Sequence, residues 1–171
     1  IVATTLEKYQ PKFIVLDPVM VSSSGHPLLK ANAIQHLVER LIPLATVITP
    51  NIDEAALLLN HPLTDDEDAE AALVELLAMG ANAVLLKGGH LRGSKVIDRL
   101  DTGKALYEFE HPRLKVNGHG TGCTLAAAIT ANLALKKSLP DACASAGDYV
   151  FNGLKDAYSP GKGGLSVLNH F

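Results

Sequence analysis

At 171 residues the chain fits one domain of ordinary size, and a 47% share of hydrophobic residues is enough to build a core. Fifteen basic against eighteen acidic residues leave a formal charge of −3; no basic block is present to follow a nucleic-acid backbone, so nucleic-acid binding is excluded as an expectation. The longest apolar run, residues 125–135, is broken by Thr130 and Asn132 and falls short of the roughly 18 residues needed to span a bilayer, so no membrane partner is expected. Two cysteines, Cys123 and Cys143, are too few for a disulfide framework and lack metal-site spacing, which points to free thiols and a cytoplasmic address.

The opening "IVATTLEKYQPKF" has neither an initiator Met nor a signal core and reads as the tail of a helix entering a strand. Apolar runs at 13–16, 46–49 and 83–86 predict strands covered on both faces. The runs 95–100 and 105–110, separated by "DTGK", predict a hairpin at a sheet edge. Between them, Ile34, Leu37, Val38, Leu41 and Ile42 mark one helix and Leu73, Leu76 and Leu77 another. The acidic stretch "TDDEDAE" predicts a helix start, with Thr64 and Glu67 as a capping box. Helices are further predicted over 124–136 and 140–158, before "SPGKGGLSVLNHF" returns to loop chemistry. Strands alternating with helices make the class α/β with a mainly parallel central sheet.

Open sheets of this class bind ligands beyond the carboxyl ends of their strands, and four polar turns lie there. In "GHGTGCT", Gly118, Gly120 and Gly122 let backbone N–H groups converge ahead of a helix predicted to start near Cys123 or Thr124. Such a pocket suits an anion, above all a phosphoryl group in transfer, although a tight turn with an N-cap has the same sequence. The P-loop is excluded, since no lysine follows at that motif's spacing. A helix N-terminus favours the thiolate of a cysteine, which makes Cys123 a candidate base or nucleophile, whereas Cys143 reads as a small buried apolar residue.

Asp17 closes a buried strand, where a carboxylate needs a cation, a metal or hydrogen bonds. In "TPNIDEAALLL", Asn51 and Glu54 have the spacing of a capping box, and Glu54 equally suits Mg²⁺ held through water. Lys87, ahead of Gly88 and Gly89, is placed to reach solvent or to neutralise phosphate oxygens. Two acids, one lysine and one anion-binding helix start together describe a phosphoryl-transfer site.

"VLDPVMVSSSGHPLL", "ITPNIDEAALLL", "VLLKGGHL", "HGTGCTLAAAI" and "GKGGLSVLNHF" follow one another in the order seen in the ribokinase-like superfamily. Within it the chain resembles the hydroxymethylpyrimidine kinase / hydroxymethylpyrimidine phosphate kinases of thiamine biosynthesis. The resemblance implies a ribokinase-like three-layer α/β/α fold. It also implies a kinase that uses ATP with Mg²⁺ to phosphorylate 4-amino-5-hydroxymethyl-2-methylpyrimidine and then its monophosphate; pyridoxal or pyridoxine kinase activity and a non-catalytic binding module are the alternatives.

By position, the resemblance gives Gly120, Thr121, Gly122 and Cys123 the anion hole, with Cys123 as the base. It gives Asn51 and Lys87 the ATP phosphates, Asp17 and Glu54 the metal, and Val19 the wall of the pyrimidine pocket; the closing "GKGG" would lie near the nucleotide. Position 126 is Ala where serine is common. Family members are longer, which implies that the chain is the C-terminal two-thirds of one kinase domain and that the first strands, a glycine-rich segment and most pyrimidine contacts precede Ile1. The resemblance leaves a homodimer open.

Overall fold

The computed structural model describes residues 1–22, 26–90, 93–116, 118–162 and 164–171. Part of the "SSSG" turn, the leucine closing "KGGHL" and Gly163 of "GKGG" lie outside the described residues. A five-stranded sheet has the order β1 (Val15–Leu16), β2 (Val47–Ile48), β3 (Val84–Leu86), β4 (Lys95–Asp101), β5 (Leu106–Pro112). β1, β2 and β3 run parallel, with Leu16 opposite Ile48 and Ile48 opposite Val84. The β4–β5 hairpin is antiparallel and ends the sheet, as the "DTGK" turn predicts.

The apolar strands owe their composition to two helical layers. Ile48, Val84 and Leu86 pack with Leu73 and Leu76 of α4 (Asp66–Ala78) and Ile52 and Ala55 of α3 (Ile52–Leu59). The alternate residues Val47 and Leu85 join Leu125, Ile129 and Leu133 of α5 (Thr121–Ala134) and Ala142, Cys143 and Ala146 of α6 (Leu139–Lys155). Successive side chains of a strand point to opposite faces, so a strand covered on both must be apolar throughout. Cys143 is buried here, and its surroundings push the thiol up to about 12, chiefly through burial. On the other face of β4, buried Arg99 reaches Asp66 at 2.9 Å and Glu108 at 3.0 Å, tying α4 to the hairpin.

Several elements depart from the sequence reading. α1 (Val2–Tyr9) precedes β1 as expected, but the helix marked by Ile34 to Ile42 is not uniform. It begins as α2 (Ala31–His36), widens into a π turn over Leu37–Leu41 and tightens to 3₁₀ over Ile42–Leu44. Pro43 lacks the N–H an α-helix would donate to residue 39, and its ring crowds that carbonyl. α5 starts at Thr121, earlier than expected, and α6 stops at Lys155, short of residue 158. A small parallel ladder, β6 (Gly118–His119) with β7 (Ser166–Val167), occupies two stretches read as turn and loop. No helix among the described residues is long and apolar enough to cross a membrane.

The cap of α4 is displaced by one residue from the Thr64–Glu67 box. Asp65 Oδ1 accepts from the Asp68 amide at 2.9 Å, while Asp68 accepts from the Thr64 amide and hydroxyl, each at 2.8 Å. Those two donors from Thr64 hold the Asp68 carboxyl below the ordinary carboxylate range. Thr64 and Asp65 are both cap-forming types, and only the chain path chooses between them. Asp65→Ala is therefore expected to cost about 1 kcal/mol in urea unfolding, and Glu67→Ala to leave the midpoint within error; the reverse ranking would restore the Thr64–Glu67 box.

Candidate functional site

β1, β2 and β3 end in register, and the turns that follow bring their polar residues together. The Thr49 amide donates to Leu16 O and the Lys87 amide to Pro50 O, each at 2.9 Å, so the ladder runs on into Asp17, Thr49, Asn51 and Lys87. Lys87 Nζ lies 3.0 Å from Asp17 Oδ1 and 3.8 Å from Glu54 Oε2. The Thr49 hydroxyl, fully buried, donates to the same Asp17 oxygen at 3.1 Å. These side chains are only 14%, 13% and 4% exposed for Lys87, Asp17 and Glu54, which strengthens their mutual field relative to the surface.

Asn51 and Glu54 form the expected capping box at α3: the Glu54 amide donates to Asn51 Oδ1 and the Asn51 amide to Glu54 Oε2, each at 2.8 Å. The box does not compete with a role at the site, because it is what aims the Glu54 carboxylate at Lys87.

α5 approaches from the opposite layer. Gly120 is its N-cap at φ +83°, a left-handed conformation that disfavours any β-carbon, and it offers no capping side chain. The Thr121, Gly122 and Cys123 amides find no hydrogen-bond acceptor among the described residues; the first helical bond is Thr124 N–H to Gly120 O at 3.0 Å. A β-carbon added to Gly122 would sit 3.1 Å from Lys87 Nζ and 3.7 Å from Asp17 Oδ2, so this open helix end faces the lysine and acid directly. Cys123, in the first turn, is exposed and turned away from the hydrocarbon core. Val19, 39% exposed, follows Asp17 and donates its amide to Asp17 O at 2.9 Å. It does not line the cavity beside the lysine.

That cavity, about 470 Å³, is bounded by Asn51, Lys87, Thr121 and Gly122 at the polar centre and by the hairpin and α6 beyond. Its volume is that of an ordinary small-molecule pocket. Asp98, His111, Arg113 and Phe151 also line it, and the sequence reading singled out none of them. Alternation along β4 and β5 would have put Asp98 and His111 on the face with Leu100, but not against α6. Asp98 Oδ1 accepts from the Gly88 amide at 2.9 Å, and burial raises the Asp98 carboxyl against that bond.

The description of the family whose model matches residues 1–168 is phosphomethylpyrimidine kinase. The chain belongs to that family. A hydroxymethylpyrimidine/phosphomethylpyrimidine kinase of Escherichia coli is 41% identical over 174 residues, covering 99% of this chain and 65% of that protein. A phosphomethylpyrimidine kinase from Clostridium difficile superposes with a TM-score of 0.76 at 38% identity, over 87% of this chain and 60% of that one. A Staphylococcus aureus pyridoxal kinase in complex with AMP-PCP and pyridoxal gives 0.88 at 30% identity, over 99% and 61%. These neighbours share the ribokinase-like fold. Among the curated relatives the chain spans between 34% and 65% of their length.

Gly122→Ala separates stability from ligand binding. Alanine favours a helix over glycine by up to about 1 kcal/mol, and the flexible lysine end can yield to the methyl. Thermal unfolding is expected to be unchanged or raised, whereas calorimetry should show affinity for a non-hydrolysable ATP analogue reduced about tenfold, the scale of one good hydrogen bond, with ADP affected less. A variant that binds the ATP analogue as well as the parent would show that no phosphoryl group approaches Gly122.

Proposed function

We propose that the protein containing this chain transfers the γ-phosphoryl group of ATP to the hydroxyl of 4-amino-5-hydroxymethyl-2-methylpyrimidine, and then a second one to the resulting monophosphate. The observation that carries this reading is the Lys87 ammonium, 3.0 Å from Asp17 and a methyl's width from the unpaired helix start at Gly122. A cation and converging N–H groups at one point are what a phosphoryl group in transit requires, because its charge is spread over oxygens that fixed donors must hold.

In this reading the Thr121, Gly122 and Cys123 amides, freed by the Gly120 turn, hold the transferred phosphoryl group. Lys87 and Asn51 hold the ATP phosphates in the cavity they line. Cys123 accepts the proton of the acceptor hydroxyl as that oxygen bonds to phosphorus and the bond to the bridging oxygen of ADP breaks. Val19, two residues past Asp17 and outside the cavity lining, contributes to the acceptor's wall. The two carboxylates fit Mg²⁺ in the manner that ion prefers, one or two protein oxygens with the rest from phosphate and water; no cluster of three or more His, Cys, Asp or Glu suited to a metal occurs among the described residues. Asp17 and Glu54 would hold the ion, and it would supply charge neutralisation of the phosphates. The free thiols Cys123 and Cys143 fit a reducing compartment, and the cytoplasm is the address we propose.

A second acceptor is favoured by one observation: the superposition on a pyridoxal kinase covers nearly the whole chain. A coupled ADP-release assay with the hydroxymethylpyrimidine, its monophosphate and pyridoxal in parallel decides between them. Acceptance of the two pyrimidines is expected; acceptance of pyridoxal alone would reassign the substrate, and no ADP release with any would remove the kinase reading.

The base is tested separately. Cys123→Ala should lower kcat by about two orders of magnitude or more, the usual scale for a positioned base, with ADP affinity little changed. Cys123→Ser keeps the shape without the thiolate and should fall nearly as far; full turnover in either variant would strip Cys123 of the role.

A further inference from the structure

Asp98 has no part in the reaction as described so far, yet the register of the sheet puts it beside the lysine that has one. β3 and β4 pair Val84 with Asp101, Leu85 with Leu100 and Leu86 with Arg99. One step further, the antiparallel ladder would set Lys87 opposite Asp98. The chain leaves the sheet there instead, through the short 3₁₀ segment Gly88–His90, and the Gly88 amide donates to Asp98 Oδ1 at 2.9 Å rather than to a strand carbonyl. Burial pushes the Asp98 carboxyl up, against that bond and against the charges of His111 and Lys87.

The backbone of Lys87 is pinned on both sides of its α-carbon. Its own amide donates to Pro50 O at 2.9 Å, toward β2, and the next amide donates to Asp98, toward β4. Gly88 lies so close to β4 that a β-carbon there would collide with the Ile97 carbonyl. Further on, the Arg113 guanidinium donates to the carbonyls of Gly89, Gly93 and Lys95 at 2.7, 2.8 and 3.3 Å, so the rest of the segment is fastened to the hairpin without help from Asp98. The peptide joining Lys87 to Gly88 is the one whose N–H Asp98 accepts. That peptide is planar, so holding its N–H orients the whole unit from which the lysine side chain departs.

On the kinase reading above, on which this inference rests, we propose that Asp98 is a positioning residue: by accepting from the Gly88 amide it keeps the Lys87 ammonium at the point where the phosphates are held. The bond needs an acceptor oxygen rather than a charge. Either protonation state of the carboxyl supplies one, and so does the side chain of asparagine. An ammonium on a flexible four-carbon stem carries an error at its root out to the tip, and small misplacements of a group that holds reacting atoms cost more than the contact that was lost.

The test is a double-mutant cycle on the whole protein, read as calorimetric affinity for a non-hydrolysable ATP analogue, with urea unfolding showing that each variant is folded. Asp98→Ala should weaken binding about tenfold, the scale of one good hydrogen bond. Gly88→Ala breaks the same bond from its other end and should lose as much. Asp98→Asn keeps the acceptor and should stay within about twofold of the parent. In a Lys87→Met background, which keeps the stem without the ammonium, neither alanine change should weaken binding further, because the group they place is gone. A residue that only supports the fold, or one that touches the ligand from the cavity wall, would cost as much there as in the parent. Asparagine as poor as alanine, or a full further loss in the Lys87→Met background, overturns the proposal. A parent that binds the analogue while Asp98→Ala binds it equally well sinks this inference alone, whereas a parent that neither binds it nor releases ADP sinks the kinase reading with it.

Discussion

The Lys87 ammonium between two nearly buried carboxylates is the constraint on which the rest of the structure depends. Taking such charges out of water costs several kcal/mol per ion, and the attraction among them seldom returns more than it cost. A hydrophobic trio in the same place would serve stability as well. The arrangement persists because three neighbouring parallel strands end together and hand polar residues to the same point: Asp17 after β1, Thr49 and the α3 cap after β2, Lys87 after β3. Ladder bonds from Thr49 to Leu16 and from Lys87 to Pro50 continue the register past the strands, so the backbone positions from which these side chains reach the common point are set by pairing.

The opposite layer supplies a complementary deficiency. α3, α4 and α6 begin with capping side chains, from Asn51, Asp65 and Ser138. α5 begins with Gly120, which supplies none. A glycine N-cap costs roughly a few tenths of a kcal/mol relative to a capping side chain, and here it lies at a helix start that faces the lysine. The glycine therefore does two things: its left-handed turn aims the amides, and its missing side chain leaves them available. A capping side chain in its place would put a β-carbon at that left-handed φ, and an oxygen brought to the amides would close the site.

Much of this was legible in the sequence because it depends on local chemistry. Apolar runs gave β1 to β3, "DTGK" gave the hairpin, and a strand end followed by a polar turn marked Asp17, Asn51, Lys87 and Cys123. The Asn51–Glu54 box was also readable, although its two readings turned out to be compatible rather than rival. What escaped depends on competition or on distance. Thr64 and Asp65 compete for one cap, and residue type does not rank them. β6 and β7 have two residues each, too few to show a period, and they pair across most of the C-terminal third. The distortion at Leu37–Leu41 comes from Pro43, whose effect on the preceding turn a hydrophobic period does not register. Asp98 and His111 looked like ordinary hairpin residues, since nothing local says that α6 crosses their face.

The two halves of the sheet divide the work in a way that follows from strand direction. Parallel strands place their carboxyl ends on one edge, so β1 to β3 can gather charges there and nowhere else. An antiparallel hairpin has no common carboxyl end at which to gather such a cluster; what it offers here is a face, with Val96, Asp98 and His111 on the side toward α6. The junction lies between Lys87 and Gly88: the lysine ends the parallel part, and the next amide is held by Asp98 of the hairpin at 2.9 Å. Any displacement of the hairpin wall is thus transmitted within one residue to the ammonium that holds the centre. A ligand long enough to touch both the wall and the lysine would thus span two parts of the sheet that this bond already joins.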